Sequence, residues 1–263
     1  TFKEMMHARG EKLRLEIEDP YNHGFEPDHW KEADELLAKH SNLLVSGGNR
    51  SGKTEYCAKH VVKHLMQNPK SRVICMHTTH QSSLQTQQPV IHKYLPLQLK
   101  GKKIRKDVEN ISYSQKNGFS DNTFILPNGS QCWFMHYSQD PRAFEGLEID
   151  LCWADELIPK NLLDTLKFRL VTRAGKMLVS FTPVEGMTPV VKDFVAGGEV
   201  TEWADSELLP DVNIPTGPKG KMPYKMRCRN EQSACIWFHT EWNPYNPYDQ
   251  LKQRLQGQHT NEI

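Results

Sequence analysis

Short apolar runs recur along the chain at residues 42–46, 72–77, 149–154, 177–181 and 234–239, each too short for a helix. Unbroken runs of this length read as strands covered on both faces, because a half-exposed strand would alternate apolar with polar positions. Between them, residues 54–66, 79–94 and 157–170 repeat their apolar positions at helical spacing. Residues 124–126 and 132–137 flank Pro127-Asn128-Gly129-Ser130 and predict a hairpin. Residues 1–40 are polar and helical in pattern, interrupted at Pro20 and Pro27. Beyond residue 205 the texture changes: residues 210–223, rich in Pro, Gly and Lys, read as an irregular loop, and residues 248–256 as a closing helix. Strands alternating with helices predict an α/β fold with a central, mostly parallel sheet flanked by helices.

Composition narrows the picture. The 263 residues are 37% apolar and 25% charged, with 33 Lys and Arg against 32 Asp and Glu. That length suits one large domain, or one domain with a small appendage. No stretch approaches the ~20 apolar residues of a membrane span, so no membrane role is expected. The chain opens on Thr1 without a hydrophobic leader core, so a secreted protein has no support, and the missing initiator Met points to a piece of a longer chain or to first residues not seen here. The six cysteines form no Cys-x-x-Cys pair and are expected as buried, reduced thiols. His60 and His64, four apart on a helix, lack the Glu of a zinc-protease motif and read as a solvated face.

Two basic stretches stand out against the neutral balance: Lys100, Lys102, Lys103, Arg105 and Lys106, and Lys219, Lys221, Lys225, Arg227 and Arg229. The second has no acid between Asn213 and Asn230. Such clusters are either solvated loops or contacts to a phosphate backbone that relieves their self-repulsion.

The chemistry is carried by Gly47-Gly48-Asn49-Arg50-Ser51-Gly52-Lys53-Thr54, a complete G-x-x-x-x-G-K-[ST] between a strand and a helix. Its glycines let the backbone wrap a polyphosphate, and the following helix directs its positive end at the anion. Lys53 is expected to reach the β- and γ-phosphates, and the Thr54 hydroxyl to help hold Mg²⁺. A hundred residues later an apolar strand ends in Asp155-Glu156. Asp155 is placed to hold the metal through water, and Glu156 to polarise a water against the γ-phosphate. Hydrolysis is therefore favoured over kinase chemistry, which must exclude water. Ser180-Phe181-Thr182-Pro183 sets Thr182 at a strand's carboxyl end, as a γ-phosphate sensor or a simple turn.

Taken in order, these motifs, with Phe144-Glu145-Gly146 ahead of Trp153-Ala154-Asp155-Glu156 and the late Trp242-Asn243-Pro244-Tyr245-Asn246-Pro247, resemble the ATPase domain of the large terminase subunits of tailed bacteriophages. The resemblance spans residues 25–256. It implies a P-loop NTPase of the ASCE, RecA-like kind with a small lid subdomain. The core would be residues 35–205, with 1–34 and 206–263 as helical segment and lid or linker. The family's nuclease domain would lie beyond this chain. The implied function is an ATP-driven motor, with ATP and Mg²⁺ as cofactors, moving double-stranded DNA into a procapsid in the host cytoplasm. A portal protein, a small terminase subunit and a pentameric ring of copies are the implied partners, with a monomer as the alternative for the isolated piece. A RecA-like helicase or other nucleic-acid-stimulated ATPase is the competing reading. The family offers two places for a catalytic arginine, Arg50 within the loop and Arg142 acting in trans; pairing of Arg142 with Asp140 or Glu145 is the plain alternative. Trp30 stands where the family carries an adenine-contacting Gln, and either stacks on the base or packs in the core.

Overall fold

The computed structural model describes residues 2–100, 111–144, 146–183, 186, 188–206, 217–247, 249, 250, 252 and 253. Three helices, α1 (Phe2–Glu18), α2 (Pro20–His23) and α3 (Asp28–Lys39), precede strand β1 (Asn42–Gly47) and helix α4 (Lys53–Gln67). Strand β2 (Arg72–His77) leads into α5 (His80–Ser82), a π-helical turn over Ser83–Gln87, and α6 (Gln88–Tyr94). The helix expected over 79–94 is thus present but locally widened. A short pair, β3 (Tyr113–Ser114) and β4 (Gly118–Phe119), precedes the hairpin β5 (Thr123–Ile125) and β6 (Gln131–His136). Then follow β7 (Leu151–Asp155), α7 (Lys160–Val171), β8 (Lys176–Phe181), α8 (Pro189–Val195), β9 (Glu199–Asp205), β10 (Lys221–Arg227) and β11 (Ser233–Phe238).

Nine strands form one sheet in the order β5-β6-β2-β7-β8-β1-β11-β10-β9. The six from β6 to β11 are parallel; β5, β10 and β9 are antiparallel to their neighbours. Alternate residues of the apolar strands divide between two cores. Leu43, Val45, Val73, Cys75, Leu151 and Trp153 face α3, α4 and α6. Leu44, Ile74, Met76, Cys152 and Val179 face α7 and α8. Burial on both faces explains why these strands lack alternation.

The sheet continues past the expected core boundary at residue 205. Strand β11, placed by the sequence reading outside a 35–205 core, pairs in parallel with β1 from Asn42↔Ser233 to Gly47↔Phe238. Helix α3 buries Trp30, Ala33 and Leu37, spaced i, i+3 and i+7, in the same core. Strands β10 and β11 both belong to the central sheet. The closing helix expected over 248–256 lies largely outside the described residues.

All six cysteines are buried and free, as expected. His60 and His64 are not a solvated face: His60 Nδ1 lies 2.7 Å from Asp34 Oδ1, and His64 Nε2 2.8 Å from Ser71 Oγ. Burial holds His29, His64, His77 and His92 down to about 4, against an ordinary 6.5. The unfolded chain takes up protons at pH 6.5 and the folded one only near pH 4, so acidification favours unfolding. Stability should be full above pH 6.5 and fall between pH 6.5 and 4. The variant His64→Gln should lose less melting temperature across that window than the wild type; equal losses would remove His64 from the account.

Candidate active site

The carboxyl ends of β1, β7 and β8 bring the sequence motifs together. β8 lies between the other two, so Thr182, just past its end, stands between the glycine loop after β1 and Asp155-Glu156 at the end of β7. Asn49, Arg50, Ser51, Gly52, Lys53, Thr54, Glu55, Glu156, Thr182, Asn243 and Asn246 line one cleft of about 370 Å³. Among the residues expected from the sequence, this cleft gathers Lys53, Thr54, Glu156, Thr182 and Arg50.

The loop's glycines have separate reasons. Gly52 caps α4 at φ 91°, ψ 9°, a left-handed conformation that a side chain disfavours. A Cβ at Gly47 would sit 2.2 Å from the carbonyl oxygen of Phe238, and one at Gly48 2.6 Å from Thr240 Oγ1. These two are therefore glycines because the end of β11 passes against the loop, beyond what wrapping a phosphate requires.

Lys53 is buried. Its Nζ donates to the carbonyls of Gly47 and Gly48, both at 2.9 Å, and to Thr182 Oγ1 at 3.2 Å. Burial draws its ammonium below the ordinary value, opposed by the charges of Glu156 and Asp155. Thr182 thus touches both the loop lysine and, at 3.4 Å, Asn49 Oδ1.

Asp155 is 4% exposed, and burial pushes its carboxyl up to about 7, with the Ser180 hydrogen bond and the Lys53 charge pulling down and Glu156 pushing up. Ser180 Oγ donates to Oδ1 at 2.7 Å and is itself bonded by Trp153 Nε1 at 2.8 Å. The other oxygen has His77 Nε2 at 3.8 Å. A buried carboxylate with one oxygen so weakly partnered fits a divalent cation, which would supply the missing positive charge. Among the described residues no cluster of three His, Cys, Asp or Glu forms a metal cage. Mg²⁺ in phosphate sites needs only one or two protein ligands, with phosphates and water completing the shell.

Glu156 adopts φ 64°, a left-handed conformation for a side-chain-bearing residue. Its N–H donates to the Ser180 carbonyl at 2.7 Å, and Tyr137 OH donates to its carbonyl at 2.9 Å and to that of Asp155 at 2.7 Å. Tyr137 and Ser180 hold the acidic pair in place; the sequence marks Ser180 only as part of the Thr182 motif and Tyr137 only as the end of a strand.

A second cavity of about 400 Å³ shares Ser51, Gly52, Glu55 and Asn243 with the cleft. Phe25, His29, Trp30, Tyr94, Trp242 and Tyr245 make it aromatic. Trp30 is both core and lining: it is 3% exposed and packs edge-on against Phe25 at 5.6 Å. Its indole nitrogen is buried without a partner among the described residues.

The remaining expectations fare differently. Arg142 is exposed on a short 3-10 turn, Pro141–Phe144, and does not line the cleft. Asp140 caps its backbone N–H at 2.9 Å, and its guanidinium has no ion pair among the described residues. Glu145, Lys102 and Lys103 lie outside the described residues. Lys221, Lys225 and Arg227 have acidic partners within the fold. Strand β9, alongside, supplies Asp205 to Lys221 at 3.1 Å, Glu202 to Lys225 at 3.1 Å and Glu199 to Arg227 at 2.8 Å, and Glu32 also pairs with Lys225. These pairs lie largely exposed on the edge of the sheet and relieve part of the self-repulsion of the basic stretch. Lys219 is exposed.

Comparison with known proteins agrees with this arrangement. The family model described as terminase large subunit, T4likevirus-type, N-terminal, matches residues 44–236. The chain is similar in structure to the large terminase ATPase domain of Thermus phage P74-26, with a TM-score of 0.51 and 15% identity, covering 91% of this chain and 94% of that one. It is also similar to the large terminase of a thermophilic bacteriophage in complex with ADP, at TM-score 0.50 and 12% identity over 86% of this chain. The chain spans 47% of that ADP-bound protein, and 34% of the same terminase in another crystal form. At such identities the likeness establishes the fold, a P-loop α/β sheet. No curated protein matches the sequence at a significant level.

Proposed function

The chain belongs to the terminase large subunit family, and from that membership and the geometry of the cleft we propose that it binds ATP with Mg²⁺ and hydrolyses it to drive double-stranded DNA into a procapsid. The observation that carries the reading is one cleft lined by the glycine loop, Lys53, Thr54, Thr182 and Glu156, with Asp155 directly before Glu156 at the end of β7. Lys53 and the loop hold the phosphates, and the start of α4 faces them with its positive end. Thr54 and Asp155 would hold the metal, which neutralises phosphate charge when bound. Glu156 takes the proton of a water aligned on the γ-phosphate. Thr182, between Lys53 and Asn49, sits where it distinguishes the presence of that phosphate.

The aromatic cavity beside the loop supports a stacked base, with Trp30 among its walls and its unpaired indole N–H near the loop at Gly52. Double-stranded DNA, a portal protein, a small terminase subunit and a ring of copies remain the partners that membership of this family favours, in the host cytoplasm. Among the described residues no helix is long and apolar enough to cross a membrane.

Calorimetric titration with ATP and Mg²⁺ tests the site. Lys53→Ala removes the one ammonium in the cleft floor and should weaken binding at least tenfold, about 1.4 kcal/mol. Equal affinity would place the nucleotide elsewhere. Duplex-stimulated turnover without strand separation would separate the packaging motor from a helicase.

A further inference from the structure

The turn that follows β11 reaches back over the glycine loop and grips it from outside. Thr240 Oγ1 donates to the carbonyl of Asn49 at 3.0 Å. Asn243 Nδ2 donates to the carbonyl of Arg50 at 2.7 Å, and Asn246 Nδ2 to the same oxygen at 3.1 Å. Arg50 is the loop residue that bears a side chain and still adopts a left-handed conformation, at φ 60°. An arginine has no intrinsic preference for that region, so an outside agent must hold it there.

The turn is itself braced. Asn246 Nδ2 donates to the Thr240 carbonyl at 2.8 Å, and Asn243 Oδ1 accepts the Tyr245 N–H at 3.1 Å. Trp242 packs on His239 at 4.3 Å and on Tyr224 at 5.0 Å. Asn243 and Asn246 line the phosphate cleft, while Trp242, Asn243 and Tyr245 line the aromatic cavity. One short segment therefore touches both halves of the nucleotide site.

We infer that residues 240–247 form a strap, in which Asn243 and Asn246 are positioning residues that hold the loop's turn at Arg50 and tie the strap's order to nucleotide occupancy. The inference rests on the ATP-binding reading of the cleft. Ligand that fixes the loop fixes the carbonyls the strap grips, and a gripped strap pre-orders the loop, so the coupling is reciprocal. A contact that pre-orders the loop equally for ground and transition states acts on KM rather than kcat.

Asn243→Asp and Asn246→Asp are isosteric tests. Each keeps the acceptor oxygen, including the one that braces Tyr245, but replaces the donor to Arg50 with an oxygen that repels its carbonyl. The double variant should raise KM for ATP about tenfold with kcat within about twofold. Thr240→Val, which removes a third donor and leaves both asparagines, should shift KM the same way by about threefold. Amide exchange with saturating ADP and Mg²⁺ gives the decisive readout. In the wild type, exchange should slow at residues 47–54 and at 240–247 together; in the double variant it should slow at 47–54 alone. Slowing at 47–54 without any at 240–247 in the wild type overturns the strap. So does equal slowing at 240–247 in the double variant, or a lowered melting temperature with unchanged KM. Absence of slowing at 47–54 in the wild type sinks the nucleotide reading, and the strap with it.

Discussion

Arg142→Ala is expected to lower ATP turnover by ~10³–10⁵-fold while leaving ATP affinity unchanged, the range attributed to an arginine that meets the charge building on a transferring phosphoryl group. The position explains why. Phe144, fully buried, anchors the 3-10 turn that carries Arg142, and Asp140 fixes its backbone. Arg142 is exposed, without an ion pair among the described residues and outside its own cleft. Such an arginine is available to the cleft of a neighbouring copy. If copies associate so that Arg142 reaches a neighbour's cleft, turnover per subunit should rise with protein concentration. Mixing Arg142→Ala with Glu156→Gln should restore part of the lost activity, because one of the mixed interfaces joins an intact Glu156 to an intact Arg142. Turnover independent of concentration, with no recovery on mixing, would transfer the role to Arg50, which lines the cleft of its own chain.

Glu156→Gln should bind ATP as the wild type does and hydrolyse it ~10²–10⁴-fold more slowly, the usual worth of a general base. Glutamine keeps the length of the side chain and its hydrogen bonding but cannot take the water's proton. The backbone there is already held at φ 64° by Ser180 and Tyr137, so the substitution leaves the geometry of the β7 end intact. Single-turnover measurement of phosphate release separates chemistry from product release. A normal single-turnover rate would dismiss Glu156 as the base.

The residues of the cleft that were legible in the sequence are those whose meaning is local. Gly47 to Thr54 form one contiguous motif, Asp155-Glu156 ends one apolar run, and Thr182 ends another. Each therefore announces itself without knowledge of its neighbours in space. Tyr137, Ser180, Asn243 and Asn246 act through hydrogen bonds to backbone or carboxylate groups, most of them well separated in sequence. No spacing rule marks such partners. Trp242-Asn243-Pro244-Tyr245-Asn246-Pro247 was visible only as a family-like segment, and its two Asn-Pro steps carried the turn but not its target.

The same holds for the fold. Buried runs such as Leu43-Leu44-Val45 predicted β1 and the parallel sheet, because burial on both faces leaves a plain apolar signature. The β9–β10 edge was illegible for the opposite reason. Its strands are half-exposed, carry a proline at Pro223, and are matched by charges across the pair: Glu199 with Arg227, Glu202 with Lys225. Read along the chain, the lysines of β10 look unrelieved; read across the sheet, they are neutralised.

The order of strands in the sheet also sets when this protein can complete its glycine-loop cleft during synthesis. Strand β1 emerges from the ribosome well before its two neighbours, β8 and β11, whose Met177 and Ser233 lie opposite Asn42. At ~5–20 residues per second the first flank arrives roughly 7–27 s later and the second roughly 10–40 s later. Until then Leu43, Leu44 and Val45 present open edges, which favours retention by chaperones and slow, late closure of a sheet dominated by distant pairings. A nascent chain stopped before residue 240 would carry the whole glycine motif and still lack the backbone grip that shapes it.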